Sequence, residues 1–351
     1  MRNRFLIGVS IVLASACGSE TAETPAMGAK GDAPGAAGAP AATTPSAAAG
    51  GSISKDETWS DRKMLTGNVD IAAGAKVQIA PGAKLSVASG TTVTVHGSLE
   101  AAAKDNHAKL SGMGWMGIVV AEGGSLALSG LDIDGAKETI HVNKGATLAD
   151  YSYGTASDGL FRIDAGGTLT LDHAAVVNGG YTLVAGTLKA TFVDWNAAAV
   201  ALSDASANVF VADSKITGSG GDFFTASGGE LLHVEYTTID KTHCPFHFNA
   251  ISKFEIDHVT TGGMTGASTD AFGLMIYNSE AGPHSISFSN FNDPKWDQTR
   301  PTATINVMNT YIPGALKKAG QVTFSPADAS GNNAQMQPNE DAHPRGTPGP
   351  G

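Results

Sequence analysis

The chain is short of most of what would staple, span or solvate a protein. It has two cysteines in 351 residues, and one of them, Cys17, has another role described below. The fold is therefore not a disulfide framework. Charged residues make up 16% and aromatics 7%, beside 42% hydrophobic. That is too apolar for a disordered chain and too poor in charge for a long solvated helix or coiled coil. Positive charge is scarce, with 22 Lys+Arg against 33 Asp+Glu and a formal net charge of −11. Nucleic acid and anionic membrane surfaces would both repel such a chain. No apolar run is long enough to span a bilayer, since the nine residues from Phe5 to Leu13 cover about 14 Å as a helix. What is abundant is small: 54 Ala and 44 Gly fill more than a quarter of the chain. The glycines keep no three-residue period, which excludes collagen, and the length allows one large domain or two ordinary ones.

The amino terminus reads as an export signal, with a basic start at Arg2 and Arg4 and then the short apolar run. Leu13-Ala14-Ser15-Ala16-Cys17-Gly18 resembles the lipobox of bacterial lipoproteins, except that Ala14 stands where the family usually has Leu, which here comes one place earlier. The resemblance implies a signal peptide of residues 1–16 and lipidation of Cys17, which becomes the new amino terminus. Gly18 is not the aspartate that holds such proteins at the inner membrane, so the resemblance implies the outer membrane, on its periplasmic or cell-surface side. Without Arg2 and Arg4 the net charge is −13. Residues 18–52 hold 12 Ala, 7 Gly, 4 Pro and no aromatic, so nothing there offsets the entropy of ordering. The stretch 17–52 is expected to be a flexible tether. The tail 328–351, with Pro338, Pro344, Pro348 and Pro350, is expected to be disordered.

Between these ends the chain repeats. Gly, then Ser or Thr, then Leu recurs at Gly124-Ser-Leu126, Gly145-Ala-Thr-Leu148, Gly166-Gly-Thr-Leu169 and Gly186-Thr-Leu188. Taking the leading apolar residue as a marker gives positions 126, 148, 169, 188, 209, 232 and 254, at intervals of 22, 21, 19, 21, 23 and 22. Two residues on, the column reads Leu128, Asp150, Leu171, Ala190, Val211, Val234, Ile256, apolar but for Asp150. Seven on, it reads Ile133, Thr155, Val176, Trp195, Ile216, Ile239, Thr261. Short alternating strands with Gly, Asn or Asp at the bends predict a β-solenoid, whose stacked coils bury inward residues against one another. Leucine-rich repeats share the length but not the fixed Leu and Asn spacing. Val69-x-Ile71, Val77-x-Ile79, Leu85-x-Val87 and Val93-x-Val95, spaced by eight with Gly74, Gly82 and Gly90 between, predict three faces per coil.

Gly67-Asn-Val-Asp-Ile, Ala80-Pro-Gly-Ala-Lys-Leu-Ser-Val87, Val95-His-Gly-Ser-Leu99 and Trp115-Met-Gly-Ile-Val119 resemble the opening of bacterial right-handed parallel β-helix proteins of the pectin-lyase-like class. The family's Trp-Gly-Gly-Ile stretch departs here only at Met116. The resemblance covers residues 57–292 and implies an all-β, right-handed parallel β-helix. The expected domain is 53–327, in about ten to twelve coils.

Pectate lyases of that class use calcium-binding aspartates and an arginine base near a Trp-Ile-Asp-His stretch. Ile256-Asp257-His258 echoes it, with Glu255 in place of Trp. Asp257, His258 and Arg300 are thus the catalytic candidates by resemblance, but no Arg-x-Pro-x-x-Arg motif accompanies them. The repeat offers His258 a structural role instead. Four residues after each marker stand Gly130, Ser152, His173, Phe192, Asp213, Tyr236 and His258, with Asn290 extending the column if Ile286 marks the next coil. That looks like a stacked bend. Polygalacturonase-type chemistry needs adjacent aspartates, and no Asp-Asp pair occurs.

His243 and His247, around Cys244 and with His233 and His258 a coil or less away, are the metal-ligand candidates. Extended, they would lie about 13 Å apart, whereas ligands of one zinc lie within about 4 Å. Alternation turns Cys244, Phe246 and Phe248 inward, so no metal or other cofactor is expected at this point. Asp132 and Asp134 alternate onto one face and could take calcium. The repeated Gly-Gly-x-Gly-x-Asp calcium motif is absent, so a solvated acidic face is the reading kept. Trp195 belongs to the inward column and Trp115 to the motif shared with the β-helix family, which leaves Trp59, Trp296, Tyr151, Tyr153 and Tyr181 too scattered for a sugar platform.

The expected function is a non-catalytic structural or binding module of the cell envelope, held to the membrane by the lipid on Cys17. Its partner would be an envelope or extracellular polysaccharide or a surface protein, and not nucleic acid. The alternatives are a polysaccharide lyase or hydrolase of the pectin-lyase-like class, and a passive spacer or adhesin.

Overall fold

The computed structural model describes residues 46–263, 273–277, 282–291, 296–298, 304–311 and 321–325. These all belong to the compact unit that begins at Pro45. The predicted signal peptide, Cys17, most of the predicted tether, Arg300 and the tail lie outside the described residues. The last part of the stretch read as tether forms a strand, Ser46–Ile53, paired in parallel with Lys63–Ile71. Its Ala and Gly residues carry little bulk, and a Cβ added at Gly50 would stand 3.6 Å from the Gly67 backbone.

Among the described residues there is no helix, only strands, and every ladder is parallel. They stack as a β-solenoid of about 11 turns. Among the described residues one sheet has 13 strands, stacked coil upon coil; the other has 18 and folds around a corner, so that it supplies two faces. A single coil shows how this is built. Thr168–Asp172 lies in the 13-stranded sheet. The chain turns at His173, and Ala175–Val184 then runs through the folded sheet, bending at Asn178 and Gly180, both at positive φ. Gly186 closes the coil before the next begins at Thr187. Strands read alternately buried and open, so Leu169, Leu188, Val209, Leu232 and Phe254 form one continuous inward column. Each such side chain contributes about 1.5–3 kcal/mol of burial, and each is closed off by the coils on either side.

The observed register corrects the sequence columns at the coil of Leu148 and again at the coil of Ile286, the first of them by a slip of one residue. Leu126 pairs with Ala149, not Leu148, and Leu128 pairs with Tyr151, not Asp150. Leu148 points outward at 44% exposure while Ala149 is at 3%. A one-residue slip moves a side chain to the opposite face, and here it removes two apparent exceptions. The inward residue beyond Leu128 is the buried Tyr151, and Ile133 pairs with Ala156 in place of Thr155. Thr261 remains a true polar residue in that column, buried beside Ile239.

Trp115 and Gly117 explain the motif around them. Trp115 is fully buried and its Nε1 donates to the Asp134 carbonyl at 3.0 Å. Gly117 adopts φ +117°, and a Cβ there would stand 1.5 Å from the Glu138 oxygen. Only glycine lets the two coils close at this point. Toward the later coils the filling becomes aromatic: Phe224 stacks on Phe246 at 5.5 Å, and Phe248 packs on Phe254 at 5.2 Å.

The bend column is present, with Tyr153 in place of Ser152 and Phe288 in place of Asn290. Tyr153, His173, Phe192, Asp213, Tyr236, His258, Phe288 and Asn309 all adopt φ between 44° and 55°, following Gly130 at 70°. Left-handed backbone costs about 1–2 kcal/mol for a residue with a Cβ. From Gly130 to Phe288, the N–H of each corner residue donates to the carbonyl that ends the neighbouring strand one coil on, as from His173 to Thr191 and from His258 to Ser287. The rings also stack, Tyr153 on His173 at 4.8 Å, Tyr236 on His258 at 4.6 Å and His258 on Phe288 at 5.0 Å. At about 0.5–1.5 kcal/mol per aromatic pair, stacking offsets part of the backbone cost.

Candidate functional site

Three groups of side chains are candidates for a functional site. The first lies on the folded sheet, where two successive coils meet. Gly218 and Gly220, both at positive φ, lead the chain to Asp222. One coil later, His243 N–H donates to the Gly221 carbonyl, and Phe223 and Phe224 donate to the carbonyls of Cys244 and Pro245. These bonds place Cys244 beside Asp222. Residues 243–245 are not strand, since the strand is only Phe246–Phe248. The separation of about 13 Å expected for an extended chain therefore does not arise. Both imidazoles reach one carboxylate: Asp222 Oδ1 lies 3.1 Å from His243 Nδ1, and Oδ2 lies 2.5 Å from His247 Nδ1. Cys244, 1% exposed, sets its Sγ 3.5 Å from His243 Nδ1. Burial pushes the Asp222 carboxyl up, but hydrogen bonds from His247 and His243, the charge on His247 and the Cys244 thiol outweigh it and hold it at about 2. Thiol and carboxylate both meet the same nitrogen of His243, so the ring cannot pass a proton between them as a nucleophile–base–acid relay requires.

The second group faces outward on the 13-stranded sheet, one residue after the inward column: Lys189, Phe210, His233 and Glu255 on successive coils. Phe210 is 36% exposed and tilts over His233 at 6.3 Å. His233 is held from both sides, Nδ1 by Glu255 at 2.9 Å and Nε2 by Glu235 at 3.4 Å. Hydrogen bonds from Lys253 and then His233 lower the Glu255 carboxyl against a smaller upward push from burial. Phe210, His233, Lys189 and Glu235 line a shallow concavity of about 540 Å³.

The third group contains Asp257 and His258. His258 is a corner residue, stacked between Tyr236 and Phe288, with Nδ1 2.8 Å from Asp257 Oδ2. Ser287 Oγ donates to the other Asp257 oxygen at 2.5 Å. The same device occurs earlier, where Asp172 holds His173 at 2.9 Å between Tyr153 and Phe192. An aspartate at a strand end that fixes the corner histidine is thus a recurring element of this bend.

The remaining candidates are placed as follows. Asp132 accepts from the Thr155 N–H at 3.0 Å and pairs with His107 at 3.1 Å, while Asp134 pairs with Lys109 at 3.4 Å. Trp59 and Tyr151 are buried and unavailable to a sugar; Tyr181 is exposed, and Tyr153 belongs to the corner stack. Asp222 escaped the sequence reading although it precedes Cys244 by 22 residues, one coil length. Phe210 escaped it too, although it alternates with the inward Val209 and Val211. No protein-family model matches the chain, and no curated protein or solved structure matches it either.

Proposed function

We propose that the chain is an outer-membrane lipoprotein whose solenoid, similar to the pectin-lyase-like β-helices, is a non-catalytic module that binds glycan along its 13-stranded sheet. The observation that carries this reading is the outward Phe210, which lies over His233 in the lining of a shallow concavity. An exposed aromatic face takes the apolar side of a sugar ring, and Lys189, His233 and Glu235 stand beside it to meet hydroxyl groups. The carboxylates of Glu235 and Glu255 nearby, with the acidic chain as a whole, favour neutral or amino sugars over polyuronates.

The test is a glycan panel applied to the full chain, followed by titration of any hit. Phe210→Ala should weaken binding about tenfold, the value of one aromatic stacking contact, with the far-UV spectrum unchanged. Failure of every neutral and amino sugar polymer to bind refutes the proposal, and depolymerisation of a bound polymer by the pure protein refutes its non-catalytic part. Anchorage is tested separately: palmitate labelling and membrane recovery should both be lost in Cys17→Ala.

A further inference from the structure

We infer that Asp222, His243 and Cys244 form a binding site for a single thiophilic divalent cation, with zinc the best fit, and that His247 orients the carboxylate from outside. The inference stands on geometry and donor chemistry, independently of any glycan.

Tetrahedral zinc has bonds of about 2.0–2.2 Å to nitrogen and oxygen and about 2.3 Å to sulfur, so its ligand atoms stand about 3.3 Å apart for N and O and about 3.6 Å apart for N and S. His243 Nδ1 is 3.1 Å from the Asp222 oxygen and 3.5 Å from the Cys244 sulfur. The three ligand atoms all lie within 4.8 Å of one another. Two edges of the coordination triangle thus have their bound lengths, and closing the third needs a rotamer adjustment of about 1 Å at most. Binding takes the thiolate and an unprotonated Nδ1: the thiol proton leaves to solvent, and the neutral His243 ring carries its single proton on Nε2.

The donor set selects the ion. One nitrogen, one sulfur and one oxygen suit zinc and its neighbours, whereas calcium and magnesium require mainly oxygen. His247 holds the second carboxylate oxygen at 2.5 Å, the kind of outer contact that fixes a ligand's direction. An approach is available, since the side chains of His243 and Asp222 are only partly buried. Three protein ligands leave a fourth position for water.

The experiment uses the full chain without a histidine tag, in a Cys17→Ser background so that the second thiol does not compete. The reduced, chelator-stripped protein is titrated with zinc by calorimetry and with cobalt(II) by absorption. The expected result is a single zinc per chain and a cobalt spectrum with a near-ultraviolet thiolate band and tetrahedral visible bands. Cys244→Ser and His243→Gln, both close in shape to the native residues, should weaken zinc binding by about a hundredfold, and His247→Gln by about tenfold. Absence of stoichiometric binding, a cobalt spectrum with no thiolate band, or zinc affinity unchanged in Cys244→Ser overturns the site. The cobalt spectrum is read on the native side chains, so it decides the matter even if a variant fails to fold.

Discussion

Replacing Leu148 by Ala should leave stability almost unchanged, although the sequence repeat treats Leu148 as the inward leucine of its coil. The structure sets Ala149 in that column instead, between Leu126 and Leu169, with Leu148 at 44% exposure. A surface truncation of this kind falls within about 0.5 kcal/mol. The comparison is Leu169→Ala one coil later, where the side chain is 0% exposed and truncation costs about 2–5 kcal/mol through lost burial and an unfilled cavity. Ala149→Leu supplies the converse, forcing extra carbons into a closed column at about 1–3 kcal/mol. Urea unfolding at 25 °C, followed by far-UV circular dichroism and tryptophan fluorescence, measures all three. The midpoint should hold for Leu148→Ala and fall for the other two, with m unchanged so that the shifts report stability. Equal losses for Leu148→Ala and Leu169→Ala, or a neutral Ala149→Leu, would refute the register.

Gly117→Ala should prevent native folding, because its Cβ would fall 1.5 Å from a backbone oxygen of the adjoining coil; recovery of soluble protein with wild-type unfolding would contradict that. Tyr151→Phe removes a buried hydrogen bond of 2.8 Å to the Leu131 carbonyl and should cost about 1 kcal/mol in denaturant. Burial, and then the charge of Asp132, push the Tyr151 hydroxyl well above its usual value. Alkaline difference spectra should therefore show Tyr151 ionising only as the protein unfolds, above about pH 10. Glu255 has its folded pKa lowered, chiefly by Lys253 and His233. Its stabilisation is present above the unfolded value of about 4.3 and is lost as pH falls through the folded value. Unfolding midpoints of the wild type and Glu255→Gln should accordingly differ at neutral pH and converge in acid.

The coil was legible in the sequence because its signal is redundant: several columns of small and branched residues repeat together. The register slip at Leu148 shows the limit of that signal. Gly145-Ala-Thr-Leu148 copies the spacing of Gly166-Gly-Thr-Leu169 locally, and only backbone pairing with Ser125 and Leu126 reveals the extra residue. Asp150 and Thr155 had already marked the fault as polar residues in apolar columns. The bend column was visible as a row of flat side chains, yet its last member was misplaced. His284 rather than Ile286 occupies the marker position there, because Ile286 pairs with Ile256. The Asp222 cluster was hidden for another reason. Periodicity assumes strand, and Pro245, which donates no backbone hydrogen bond, follows a segment that is not strand. Its histidines meet through a residue one coil away, a proximity that sequence neighbours do not report.

The parallel ladders also have a mechanical consequence. Their hydrogen bonds lie along the stacking direction, so tension applied from the first coil toward the last loads the rungs in series. Each can be peeled in turn, whereas tension along a strand would have to shear a whole rung at once. The rung that would open first, Ser46–Ile53 against Lys63–Ile71, is interrupted by two register shifts. Pulled from its first strand, the solenoid should pay out chain one coil at a time, leaving the coils around Phe210 folded until the earlier ones have opened.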